Sequence, residues 1–141
     1  MKECAAEAKI VNQNKNAFIF LCNYVTESEC LQRQLVATIQ QNAIWPMNIK
    51  IGDDIYLFNF STGLIHGPFL AVSSADCHEP TAWGGKFPIQ VRICKSPRTR
   101  QAYKQGANTP QILRKRRISR DLGEAAREVF SWLQECGRQL D

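Results

Sequence analysis

Two of the three tryptophans stand in segments that predict loops, where a large apolar ring has no regular face to join. Trp45 is followed by Pro46, and Trp83 is followed by two glycines, so the chain is expected to bend beside both indoles. An indole in a loop either fills the edge of a core or presents its face to a ligand. In the second case it stacks a nucleic-acid base or helps to enclose a methylated or cationic group. These residues alone leave both interpretations open.

A cationic segment accompanies these aromatic residues. Residues 86–120 contain 11 Lys or Arg and no Asp or Glu, and the rest of the chain holds 7 basic and 13 acidic residues, a net charge of −6. Such a separation of charge is typical of a protein that binds a polyanion, and a merely solvated basic loop is the alternative. The residues of this segment predicted to bind a phosphate backbone are Arg98, Arg100, Lys104, Arg114, Lys115, Arg116 and Arg117.

Residues suited to catalysis are few. Of the two histidines, His66 on a predicted strand favours a structural hydrogen bond, and His78 in a loop favours the wall of a pocket. Asp53 and Asp54 are adjacent, so on a strand their side chains point to opposite faces. Phosphate-loop, nucleophile-elbow and zinc-protease motifs do not occur in the sequence. We therefore expect a binding protein rather than an enzyme, with no cofactor.

The six cysteines, at positions 4, 22, 30, 77, 94 and 136, include no C-x-x-C pair. Cys77 and His78 are adjacent, which is poor spacing for two ligands of one metal ion. No run of about 18 apolar residues occurs, and the N-terminal residues lack the apolar core of a signal peptide. These features predict an intracellular protein with reduced thiols, no metal site and no membrane span.

Two helices are predicted from capping patterns and apolar spacing. Thr26 opens a T-x-x-E capping box, and apolar residues continue at helical spacing as far as Ile39, so the first helix is expected from Thr26 to about residue 42. The second helix is expected after Asp121, and Trp132 on this helix is predicted to lie in the core. The apolar face of the second helix consists of Leu122, Ala126, Val129, Phe130 and Leu133.

Strands are predicted from short apolar or alternating runs bounded by turn residues. Gly67-Pro68 inside one of these runs indicates a bulge or an edge position. Residues 96–117 show little periodicity and are predicted to form a long loop, which could include short strands. Residues 1–15 are predicted to form a lead-in segment. The predicted strands cover 17–22, 53–60, 64–72 and 87–94. This order of elements favours one α+β domain over residues 1–141, built as a small barrel of about five strands with a closing helix.

Seven short motifs follow one another between residues 17 and 94, and together they resemble the DCD (development and cell death) domain. One stretch departs from that family, because residues 36–39 read V-A-T-I where plant DCD domains carry F-G-L-P. The motifs are Phe18-Ile19-Phe20-x-Cys22-Asn23, Thr26-x-x-x-Cys30-Leu31-x-Arg33-Gln34-Leu35, Ile49-x-x-Gly52, Tyr56-Leu57-Phe58-Asn59-Phe60, Leu64-x-His66-Gly67-x-Phe69-x-Ala71, Pro80-x-Ala82-Trp83 and Phe87-Pro88-x-Gln90-Val91.

A second set of motifs extends to the C-terminal helix and is similar to the YTH domain. It consists of a strand, Asn23, a helix and Trp45, then Tyr56-Leu57-Phe58, Trp83-x-Gly85-x-Phe87 and Ser119-Arg120-Asp121-x-x-Glu124. DCD and YTH domains share the PUA-like fold. The resemblance therefore implies an α+β, PUA-like β-barrel of about five to six strands with flanking helices.

YTH domains bind N6-methyladenine in an aromatic cage, and the resemblance carries this role onto particular residues. Trp45 and Trp83 would be the cage walls, and Asn23 with Glu27 would contact the polar edge of the base. The expected pocket is completed by Pro46 and His78, and Arg120 and Asp121 would lie near the phosphate path. Where YTH domains carry a lysine on the first strand, this chain has Leu21.

The leading hypothesis is a reader module that captures a modified base, with N6-methyladenine the first candidate, in DNA or RNA. PUA-like readers also occur as N-terminal modules of McrB-type modification-dependent restriction proteins, so a place in a larger multidomain protein is one expectation. The alternative is a protein-interaction or stress-signalling adaptor, as plant DCD proteins are described. In that case the basic residues serve localisation or solvation.

Overall fold

The computed structural model describes residues 15–42, 44–105 and 108–139. Apart from Lys15, the expected lead-in over residues 1–15 lies outside this part. The described chain contains seven strands and three α-helices, which confirms the α+β class. The strands are β1 (Ala17–Cys22), β2 (Leu35–Thr38), β3 (Asp54–Asn59), β4 (Leu64–Ala71), β5 (Ile89–Cys94), β6 (Arg100–Tyr103) and β7 (Arg138–Gln139); the helices are α1 (Glu27–Arg33), α2 (Gln111–Arg114) and α3 (Ala126–Cys136).

All seven strands form one mixed sheet. Its main path runs β1-β3-β4-β5-β2, with β6 paired to β4 and β7 paired to β6. β1 is parallel to β3, and the other pairs are antiparallel. β1 and β2 lie close together at the two ends of the path, but within the described residues no strand pairing joins them. The barrel is therefore open along a seam between β1 and β2.

The central strands are buried on both faces because two hydrophobic clusters lie on opposite sides of the sheet. Residues at alternate positions belong to different clusters, as a strand requires. Phe20 and Leu57 face the cluster enclosed by the five-strand path, and Ile19 and Phe58 face the cluster formed with α3. The second cluster includes Val129, Trp132 and Leu133 of α3, which confirms the core position predicted for Trp132.

The long first helix predicted to reach residue 42 is wrong, because α1 ends at Arg33. Gln34 adopts a left-handed conformation with φ of 54°, and the chain then enters β2. Leu35 and Val36 are fully buried and pair with β5, so burial in the sheet outweighs the helical spacing of the apolar residues. Thr26 precedes α1 but makes no side-chain cap bond. Instead, Oδ1 of Asn23 accepts hydrogen bonds from the backbone N–H of Val25 and Thr26.

The other elements follow the predictions more closely. The strands expected over 17–22, 53–60, 64–72 and 87–94 correspond to β1, β3, β4 and β5. Gly67-Pro68 is a bulge, since the single residue Tyr56 of β3 lies opposite both of them. It is not at an edge, because β4 lies between β3 and β6. The expected loop over 96–117 contains β6 and α2. No helix among the described residues is long and apolar enough to cross a membrane.

Of the five cysteines that the structure describes, four meet the expectation of reduced thiols and one does not. Cys22, Cys30, Cys77 and Cys136 are free, and Cys94 is disulfide-bonded. The sequence did not indicate this bond, because no C-x-x-C pair or other local cysteine motif marks Cys94. Burial raises the pKa of Cys22, and it raises the pKa of Cys30 to about 12, so both remain thiols at neutral pH. Among the described residues no cluster of His, Cys, Asp or Glu could hold a metal ion.

Candidate functional site

A cleft of about 840 Å³ lies beside β1 and β3, which contribute Leu21 and Phe58 to its lining. Its lining combines apolar residues with basic ones, and Asn42 is the neutral polar residue among those described. The described residues that line it include no Asp or Glu. The lining consists of Leu21, Asn42, Trp45, Phe58, Phe60, Lys104, Arg114, Lys115, Arg116, Arg117, Ile118 and Arg120.

The basic part of the cleft is held in place by apolar residues on either side of it. Leu113 is fully buried in the second cluster, and Ile118 packs against that cluster, so the run 114–117 is anchored at both ends. Arg120 follows, and its backbone carbonyl accepts a hydrogen bond of 2.8 Å from the N–H of Ile19 on β1. The sequence thus presents four consecutive cationic side chains along a cleft whose opposite wall is a sheet.

In the part of the chain that the structure describes, no carboxylate neutralises the cations of the cleft. Within the described residues, no ion pair joins Lys104, Arg120 or the run 114–117 to an acidic side chain. Partial burial lowers the pKa of Arg120, although an arginine remains charged at neutral pH. Cations that lie together and lack acidic partners produce a positive potential that attracts a polyanion.

A smaller recess of about 160 Å³ adjoins the cleft at the seam between β1 and β2. The two spaces share Leu21, Asn42, Trp45 and Arg120. Phe20 and Leu21 come from β1, and Ala37 and Thr38 come from β2, so the recess exists because these strands do not pair. Its described lining consists of Phe20, Leu21, Ala37, Thr38, Ile39, Asn42, Trp45, Phe87 and Arg120.

Trp45 lines both spaces and is fixed by its neighbours. It begins the short 3-10 turn Trp45–Asn48, in which Pro46 is buried. Its ring is stacked on Phe18 with centroids 6.4 Å apart and is tilted against Phe20 at 4.9 Å. The indole is therefore half-buried and held against the core, with its remaining surface toward the cleft and the recess. Pro46 supports the turn from beneath and is not part of either lining.

Trp83 occupies a different position. Its side chain is only 8% exposed and belongs to the first hydrophobic cluster, and it lines neither the cleft nor the recess. Its backbone N–H donates a 2.8 Å hydrogen bond to Oε2 of Glu29, which lowers the pKa of that carboxyl. The indole meets Phe87 edge-on at a centroid distance of 5.8 Å, and Phe87 is the residue that reaches the recess. Sequence reasoning missed Phe87 because it stands at the start of a predicted strand.

The polar residues expected around the base are engaged elsewhere in the described structure. Oδ1 of Asn23 forms the turn before α1, and Oε2 of Glu27 lies 3.1 Å from Nε2 of the buried His66. Nε2 of His78 contacts Oγ of Ser73 at 3.0 Å. The structure does not bring Asn23, Glu27 or His78 to the lining of the recess.

The predicted backbone-binding residues fall into two groups. Six of them line the cleft, namely Lys104, Arg114, Lys115, Arg116, Arg117 and Arg120. Arg98 instead pairs with Asp54 at 3.2 Å, and Arg100 donates to the carbonyls of Pro97 and Thr99. Asp121 accepts a hydrogen bond from the N–H of Gly123 and so begins the turn into α3. Sequence reasoning did not predict the apolar surface of the cleft formed by Leu21, Phe58 and Phe60, since strand alternation alone does not show which face is open.

The fold of the described residues is similar to that of several solved YTH domains. The crystal structure of the MmI1 YTH domain matches with a TM-score of 0.64 and 15% identity, over 86% of this chain and 96% of that one. A YTH domain-containing protein mmi1 and RNA complex matches with a TM-score of 0.62 and 14% identity, over 94% of each chain. The Toxoplasma CPSF4-YTH domain gives 0.56 and 16%, over 92% and 93%. At identities this low, these matches show a shared fold and nothing more.

The family is shown by sequence. The family model of the development and cell death domain matches residues 16–107, and the chain belongs to that family. The DCD domain-containing protein NRP-A of Glycine max is 37% identical over 90 residues, 58% of this chain and 24% of the relative. The B2 protein of Daucus carota is 35% identical over 96 residues, 62% of this chain and 46% of the relative. The chain thus matches about a quarter to a half of the length of these relatives.

Proposed function

We propose that this DCD domain is a nucleic-acid reader that places one base in the recess beside Trp45 and binds the adjoining phosphates in the cleft. One observation carries the proposal. Six cations that have no acidic partner among the described residues line a cleft that shares four residues with an aromatic recess. Cations bind phosphates without regard to sequence, and a ring-lined pocket discriminates between bases.

The size and lining of the recess suit one ring of an aromatic base. A cavity of about 150 Å³ accepts a benzene ring, and the recess measures about 160 Å³. The second ring of a purine would extend into the adjoining cleft. Stacking on an indole contributes about 1–3 kcal/mol for each base. A base inside the recess is out of its stack, which costs a few kcal/mol in a duplex and less in a single strand.

N6-methyladenine is the leading candidate for the base. The recess is lined by apolar side chains, including Phe20, Ala37 and Ile39, against which a methyl group can be buried. An added methyl in an apolar pocket provides about 1–3 kcal/mol of discrimination. The likeness to a YTH structure in complex with RNA supports a nucleic-acid partner. With neither Asn23 nor Glu27 in the lining, the polar edge of the base would depend on Thr38, Asn42 or main-chain groups.

A protein-interaction adaptor is the second candidate, and exposed apolar residues favour it. Ile44 and Met47 are strongly exposed beside Trp45, and Tyr24 and Val25 are strongly exposed at the end of β1. Such residues suit a protein partner. This candidate does not explain why the described lining of the neighbouring cleft contains six cations and no carboxylate, so we place it second.

The test is a fluorescence-anisotropy titration with short single- and double-stranded RNA and DNA. Each probe carries adenine, N6-methyladenine, cytosine or 5-methylcytosine, and each titration is run at two salt concentrations. Trp45→Ala is compared with Tyr103→Ala, a half-exposed aromatic residue outside the cleft and the recess.

We expect preference for one modified base, with Trp45→Ala losing about tenfold or more of the affinity for it while sensitivity to salt persists. Tyr103→Ala should bind like the wild type. Absence of binding to every probe at low salt would favour the adaptor. Preference retained in Trp45→Ala would remove the recess as the base site.

A further inference from the structure

We infer that the ligand is a single strand and that the nucleotide next to the recess stacks its base on Phe60. This inference rests on the proposed function, and it adds a second base site and the class of nucleic acid. Aromatic residues lie at two positions in the cleft. Trp45 marks one of them beside the recess, and Phe58 with Phe60 marks the other on and after β3.

The register of the sheet sets the distance between the two positions. Leu21 of β1 lines both the recess and the cleft, and its partner on β3 is Phe58. Neighbouring strands are about 5 Å apart, so one strand width separates the edge of the recess from Phe58. Phe60 follows the end of β3 and lines the same cleft as Phe58. A separation of this order suits successive nucleotides of one strand.

Phe60 is the ring that is free to stack. Phe58 is only 4% exposed and is part of the second cluster, whereas Phe60 is 59% exposed. Lys104 lies over the Phe58 ring with Nζ 5.7 Å from its centroid, and its backbone N–H donates to the carbonyl of Gly63. A cation is thus fixed beside the aromatic surface, which is the combination that proteins use to bind single strands.

The charge of the cleft favours a strand over a single nucleotide. One nucleotide in the recess would place its phosphate near Arg120, and it would leave Phe60, Lys104 and the run 114–117 uncovered. A second nucleotide toward β3 covers Phe60 and brings another phosphate among these cations. Two bases held on protein surfaces on either side of Leu21 are not stacked on each other or paired, so the strand bound here is single.

The experiment is isothermal titration calorimetry with ligands of increasing length. The probes are N6-methyladenosine 5′-monophosphate and dinucleotides in which the same nucleotide is joined, on either side, to adenosine or to an abasic residue. The abasic ligand keeps the phosphate that links the two residues and removes the second base. The proteins are the wild type, Phe60→Ala and, as the matched control, Tyr103→Ala.

We expect the adenosine neighbour on one side to raise affinity by about tenfold over the abasic neighbour, and we expect Phe60→Ala to abolish that gain. The monophosphate should bind wild type and Phe60→Ala equally. Equal affinity for the abasic and adenosine dinucleotides would overturn the second base site while leaving the proposed function intact. Failure of all these ligands, together with failure of longer strands, would overturn both.

Discussion

The rings of Trp83 and Phe87 form a T-shaped contact with a centroid distance of 5.8 Å and planes inclined by 80°. Trp83 is buried in the core, and Phe87 reaches the recess. This contact explains how a residue that does not line the recess can still shape it. Trp83 holds the ring that lines the recess, and Glu29 on α1 holds the backbone of Trp83.

Replacement of Trp83 should therefore affect stability more than recognition. Trp83→Ala should lower the free energy of unfolding by about 3–5 kcal/mol, since a large buried side chain leaves a cavity. Urea denaturation followed by circular dichroism measures this change. Trp83→Phe is the matched variant, and it should cost less because it keeps the ring contact and removes an indole N–H that lacks a partner in the described structure. A Trp83→Ala protein with wild-type stability and no base preference would instead make Trp83 a direct wall of the site.

The cations of the cleft should be visible in the dependence of binding on salt. For single strands, the slope of log affinity against log salt changes by about 0.7 for each phosphate contact. Arg116→Ala should reduce the slope by about this amount, and Arg120→Ala should do the same. Arg127→Ala is the control, because Arg127 is exposed on α3 and lies outside the cleft. Equal slopes for Arg116→Ala and Arg127→Ala would show that the cleft does not bind the backbone.

Sequence reasoning predicted the central strands and the basic segment because both are local properties. Apolar alternation identified β3 and β4, and composition alone identified the run 114–117. It missed β2 because the apolar spacing of Leu31, Leu35 and Ile39 suits a helix, and the burial of Leu35 beside β5 depends on tertiary pairing.

The candidate site was harder to predict for the same reason. Trp45 and Trp83 both stand in loops beside residues that bend the chain, so local sequence treats them alike. What separates them is a hydrogen bond from the backbone of Trp83 to Glu29, 54 residues away. The role of Phe87 likewise depends on a seam between β1 and β2 that no local pattern indicates.

The bulge in β4 should be sensitive to a single methyl group. Gly67 has φ of +146°, and a Cβ at this position would lie 2.5 Å from Cδ1 of the buried Tyr56. Gly67→Ala should therefore destabilise the protein by more than about 1 kcal/mol, as strain and overpacking add. The comparison is Gly84→Ala, where φ is +64° but no atom lies within 4 Å of the added Cβ. Equal urea midpoints for the two variants would mean that the sheet accommodates the clash.

Buried His66 should make stability depend on pH. Burial lowers the pKa of His66, and the hydrogen bond to Glu27 opposes this effect without reversing it. A histidine in the unfolded chain titrates near its ordinary pKa of about 6.5. Below that pH the unfolded chain binds a proton that the folded protein does not, so stability should fall as pH decreases from neutral through the lowered pKa of His66.

His66→Gln separates this effect from other titrations. Glutamine can still donate to Oε2 of Glu27 but does not titrate, so the variant should lose part of the slope of unfolding free energy against pH between about 7.5 and 5. His78 is present in both proteins, and the difference between their slopes therefore isolates His66. If the wild type instead gained stability over the variant as pH fell, His66 would be protonated in the folded protein. In that case, the charged pair with Glu27 would outweigh the cost of burial.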